Sequence, residues 1–275
     1  MARFHGMGRG SWLACAVVVM LLPGLTFAAE RQRKLKAGEY NPAHETVEMF
    51  QAMRAGDIEV KLIPKDSTEA RVLIENKTKR PLNVKLPDAF AGVPVLAQIG
   101  GLDPAGGLGG RGARDRDTGG GAQPMGGGMM GGMGGMGMGM GMGGMMNVAP
   151  EKVGNLKVAT VCLAHGKPEP RPKIPYEIKP IGEFTDNAEI HAICRMVGAG
   201  EVNQRAAQAA AWHFTDGMGW QELAAKQLRS ANGTSRPYFS PQEIAIGMRI
   251  AETATRLAEE AKKEKPEKAD SLSRQ

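Results

Sequence analysis

The stretch Asn155–Leu163, NLKVATVCL, alternates with a period of two, so that Leu156, Val158, Thr160 and Cys162 fall on one side of an extended chain. That pattern predicts a half-buried β-strand. Three earlier segments read the same way. In DIEVKLI, Ile58, Val60 and Leu62 oppose Glu59 and Lys61; EARVLIE follows after a polar turn; and LNVKL places Leu82, Val84 and Leu86 together. Turn residues such as those of ENKTKRP separate them. After Cys162 the segment HGKPEPRPKIP must be extended, because Pro168, Pro170, Pro172 and Pro175 fix φ and remove donors. YEIKPI is then the last strand. Short alternating strands at this spacing predict an antiparallel β-sandwich over residues 57–181, preceded by a short helix over residues 44–55.

Periodicity changes from two to 3.6 after residue 185. DNAEIHAICRMVGAG carries Ile190, Ile193, Cys194 and Val197 at helical spacing and is predicted to stop at Gly198. VNQRAAQAAAWHFTDG is predicted to stop at Gly217, and GWQELAAKQLR reads as a third helix. In the last, SPQEIAIGMRIAETATRLAEEAKK, Ser240 is the N-cap, Pro241 the first helical residue and Glu243 the partner of a capping box. Its stripe Ile244, Met248, Ala251 and Leu257 needs a partner surface. The fold class is therefore α+β: a sandwich, then a helical module over residues 185–263, with residues 264–275 as a disordered tail.

One segment fits neither period. Residues 100–146 hold MGGGMMGGMGGMGMGMGMGGMM, an insertion expected to be disordered because glycine raises the entropy that ordering must overcome and methionine packs without fixed geometry. Its thioethers suit a sticky contact surface or soft Cu(I), but the spacing enforces no coordination geometry.

The chain opens with Arg3 and Arg9, an apolar run from Trp12 to Phe27 and small residues at Ala28 and Ala29, the layout of a signal peptide over residues 1–28. Export to the periplasm or cell surface is the expectation, with no stable membrane span after cleavage. Cleavage removes two of the six net positive charges. The basic run Arg31, Arg33, Lys34 and Lys36 then forms a solvated N-terminus within residues 29–56. No basic stretch is interleaved with aromatics, which argues against nucleic acid as a partner. A protein or envelope-surface partner is the alternative that export leaves.

No nucleophile elbow, phosphate-cradling loop or H-E-x-x-H motif is present, so the expected role is non-enzymatic, with no catalytic residue, no cofactor and no metal. Cys162 and Cys194 either form a disulfide closing a loop of about 32 residues or are buried apolar thiols. Cys162-x-x-His165 and His191-x-x-Cys194 mirror one another as zinc-ligand pairs, although three residues on a strand point Cys162 and His165 to opposite faces.

Gln208 stands among alanines, on one line with Gln204, Trp212 and Thr215. A buried amide there needs hydrogen-bond partners. The run Gln208, Ala210, Trp212, Phe214, Thr215, Asp216 resembles the signature helix of bacterial Cys–Gln thioester domains, which are exported surface proteins of mixed β and helical fold. The resemblance covers one helix and one cysteine, with Ala207 where that family often has threonine. It implies a thioester between Cys162 and Gln208, formed with loss of ammonia and able to acylate a surface nucleophile.

Overall fold

The computed structural model describes residues 38–95, 121–129, 144–230 and 233–272. The signal peptide and the basic run Arg31–Lys36 lie outside them. The sandwich expectation gives way to a closed barrel. Its strands are β2 (Ile58–Pro64), β3 (Glu69–Asn76), β5 (Phe90–Pro94), β6 (Met125–Gly127), β8 (Val153–Cys162) and β9 (Tyr176–Pro180), in the order β2-β3-β8-β6-β5-β9. The pair Leu62↔Tyr176 closes the ring. A second sheet joins β1 (Glu45–Glu48), β4 (Leu82–Lys85) and β7 (Met145–Val148), with β1 and β4 parallel. The helix α1 (Met49–Ala55) therefore starts later than residue 44, where Glu48 accepts the Gln51 N–H at 2.8 Å.

The barrel closes because of the segment the sequence assigned to disorder. β6 pairs with β8 (Met125↔Cys162, Gly127↔Thr160) and with β5 (Phe90↔Gly127), filling what would be a gap between two open edges. Open edges expose unpaired N–H and C=O groups, and closure removes them. Met125 and Met129 are buried in the barrel core with Phe90, Val72, Ile74 and Leu156. Within the insertion the structure describes residues 121–129 and 144–146; the expectation of disorder for residues 100–120 and 130–143 lies outside the described residues.

After the short helix α2 (Ile181–Phe184), the outer wall carries α3 (Ala188–Ala199), α4 (Gln204–Asp216) and α6 (Pro241–Leu272). Ile190, Ile193 and Val197 of α3, Ala206, Ala207, Ala210 and Ala211 of α4, and Ile250, Ala251 and Ala254 of α6 pack in one cluster with Ala91 and Val161 of the barrel and with Leu163, which follows β8. Asn187 and Asn203 cap α3 and α4. Ser240 and Glu243 form the capping box at 2.8 and 3.2 Å. Four sequence expectations change here. α3 runs through Gly198 to Ala199. The predicted third helix is α5 (Trp220–Ala225) followed by a hairpin of β10 (Gln227–Arg229) and β11 (Ser235–Pro237). Met248 is 49% exposed, because Ile244, Gly247, Ile250, Ala254 and Ala258 set the buried stripe of α6. And α6 continues to Leu272, past Lys263, where Glu, Lys and Ala, good helix formers, stand on either side of Pro266.

Asn83, fully buried on β4, ties the second sheet to the chain before it. It donates to Asn41 O (2.7 Å) and His44 O (2.9 Å) and accepts from Asn41 N–H (3.2 Å) and the Asn147 amide (2.8 Å). Asn83→Ala is expected to lower unfolding free energy by about 3 kcal/mol in urea titrations, since it strands several buried partners at once.

Candidate functional site

The site foreseen at Gln208 sits where β3 leaves the barrel wall. The last β3-side backbone bond of β8 is Thr160 N–H to Thr68 O, at 2.9 Å. Beyond it the edge of β8 has no strand partner, and α4 takes over. The Gln204 amide donates to Thr160 O at 2.7 Å. Gln208 Oε1 accepts the Cys162 N–H at 2.7 Å, and its Nε2 donates to Cys162 O at 2.9 Å. Further along, Asp216 accepts the His165 N–H at 3.0 and 3.1 Å, and the Trp212 ring meets His165 edge-on with centroids 4.8 Å apart.

The register of this seam follows from two rises. Four helical residues advance about 6 Å, and two strand residues advance about 6.6 Å. Side chains at 204 and 208 therefore meet backbone groups at 160 and 162 in step. A primary amide offers one acceptor and one donor side by side, the same pair that a neighbouring strand would present. Alanines at 206, 207, 209, 210 and 211, all buried, let the helix come close enough.

Gln208 and Cys162 are thus brought together, through the backbone of Cys162. The Cys162 thiol lies 3.9 Å from Ser67 O, and burial, with Glu169 and Asp66 nearby, pushes it up to about 12. The Cys194 thiol is also pushed up to about 12 by burial. Both cysteines are free and buried, in different core clusters, so the disulfide is not formed. The mirrored zinc-ligand pairs do not assemble: His191 Nε2 is 2.6 Å from Thr185 O, and His165 Nε2 is 2.6 Å from Lys226 Nζ. Among the described residues, no group of three or more His, Cys, Asp or Glu is placed to hold a metal ion.

Sequence reasoning missed Gln204 as a partner of Gln208, although the four-residue spacing on one helix line was the signal for it. It also missed Gly126, Gly128 and Gly198, where α3 and the β6 segment cross with no room for a Cβ, a requirement set by residues far away in the chain. A surface groove of about 340 Å³ borders the seam between Thr68, Lys157 and Gln204. Its charges are matched: Glu69 pairs with Lys65 and Lys157, and Arg205 with Glu243. Among the described residues no helix is long and apolar enough to cross a membrane. Comparison with protein-family models, with curated proteins and with solved structures gives no match.

Proposed function

We propose that this chain is an exported, non-enzymatic protein of the cell envelope with a structural or interaction role. The observation that carries the reading is the use made of Gln208, whose amide is bonded at both ends to the main chain of Cys162. The groups with chemical potential are spent on holding the barrel to its helices, and the two thiols sit in apolar surroundings that disfavour the reactive thiolate. The N-terminal signal layout supports export. Met248 and Ile246, exposed on α6, offer apolar contact to a partner.

A second reading rests on the same adjacency: a thioester-containing, adhesin-like module. Cys162 Sγ would bond to the Gln208 amide carbon as ammonia leaves, and a surface nucleophile would later displace the thiol. The denatured intact mass of the protein isolated from the cells that make it separates the two. The first reading expects a chain shortened by its N-terminal signal and otherwise of full mass. A deficit of about 17 Da, the ammonia lost, would establish the second, and an unshortened chain would contradict export.

A further inference from the structure

We propose that the contact between His165 and Lys226 is an acid-sensitive latch on the base of the β10–β11 hairpin, closed when the imidazole is neutral and released when it is protonated. Lys226 Nζ lies 2.6 Å from His165 Nε2. An ammonium group only donates, so Nε2 must accept and the ring proton sits on Nδ1. Protonating Nε2 removes the acceptor and sets two cations in contact. The latch joins separate elements: His165 follows β8, while Lys226 ends α5 and begins the hairpin.

The hairpin base closes over a buried aromatic cluster. Tyr238 N–H donates to Lys226 O at 2.8 Å. Lys226 Nζ stands 5.4 Å from the Trp212 ring centre and 5.3 Å from that of Tyr238, within cation–π range. Trp212 packs on Tyr238 and Phe239, with centroids 5.4 and 5.9 Å apart, and is 3% exposed. Arg205 holds Tyr238 O from the other side. Release of Lys226 therefore frees a side-chain anchor of the hairpin base and opens the aromatic cluster to solvent or to a partner.

The charged groups facing His165 are Lys226 at the α5 end, Asp216 on α4 and Glu222 on α5. The two carboxylates favour the imidazolium. Partial burial and Lys226 oppose it and prevail, holding His165 below its ordinary value of 6.5. The sign follows: the closed form has its full stability above about pH 6.5 and loses it as the pH falls through the lower folded-state value.

The test uses the full chain with Trp12 and Trp220 replaced by Phe, which leaves Trp212 as the sole tryptophan and removes the His213 stack on Trp220. Between pH 7.5 and pH 5, Trp212 emission is expected to shift reversibly to the red with a midpoint below about 6.5, while far-ultraviolet circular dichroism stays constant. His165→Gln keeps an acceptor for Lys226 that does not titrate, and is expected to abolish the shift. Lys226→Met deletes the latch from its other side and is expected to give the red-shifted emission already at pH 7.5, with no further shift on acidification. An unchanged transition in His165→Gln, no transition in the parent, parent-like emission at pH 7.5 in Lys226→Met, or a simultaneous loss of helical signal would each overturn the latch.

Discussion

Gly198→Ala is expected to destabilise the protein by about 3 kcal/mol or more, against the helix propensity of the two residues. In an open helical position the change would stabilise by up to about 1 kcal/mol. Here α3 crosses the start of the Gly/Met tract backbone to backbone. A Cβ on Gly198 would enter the main chain of Gly128, lying 2.7 Å from its nitrogen, and a Cβ on Gly128 would lie 3.0 Å from Gly198 Cα. Neither obstacle is a side chain that can rotate away. One turn earlier, Cys194 Sγ would be 2.5 Å from a Cβ on Gly126. The helix and strand must separate, and β6, on which barrel closure depends, is the element displaced. Gly182→Ala is the control: its nearest neighbour would be His191 Cε1 at 3.8 Å, an ordinary contact, and its effect is expected within about 0.5 kcal/mol. Urea midpoints for the two variants decide the matter; equal midpoints would contradict the close crossing.

The second large effect is expected at Gln208. Gln208→Leu preserves bulk and removes both hydrogen bonds, leaving Cys162 N–H and C=O buried without partners. At about 1–3 kcal/mol for each stranded group, the loss is about 3–5 kcal/mol. Cys162→Ala deletes the thiol and keeps the backbone pair, so its cost is a small cavity of about 1 kcal/mol. The ratio is diagnostic, because a bond between the two side chains would make the variants nearly equal. Equilibrium urea unfolding of both, read by helical circular dichroism, gives that ratio directly.

The parts legible in the sequence are those whose cause is local. Alternation in 58–62 and 155–163 gives strands because one face is buried, and Ser240–Glu243 gives a helix start because the capping box is contained within four residues. Alternation does not say whether strands form two facing sheets or one closed ring, since inward and outward positions repeat identically in both. The deciding element, Met125–Gly127, is hidden by its own composition. Glycine reads as entropy until the partner that needs its missing side chain is known, and that partner, Cys194 and Gly198, lies about 70 residues away. The hairpin 227–237 has no strong alternation, and its base is held by Lys226 and Arg205 through tertiary contacts. At the seam, sequence reasoning asked a buried Gln208 amide for hydrogen-bond partners and linked it to Cys162 only through the resemblance, without locating those partners in the Cys162 main chain. A backbone edge left open by a departing strand cannot be seen without topology.

If α4 completes the edge of β8 with intact glutamine amides, the side-chain amide resonances of ¹⁵N-labelled protein will show it. The Gln208 NH₂ pair is expected to exchange far more slowly than exposed glutamines and to show a nuclear Overhauser contact to the Cys162 amide proton. A missing Gln208 NH₂ signal, or one exchanging at the rate of free glutamine, would contradict it.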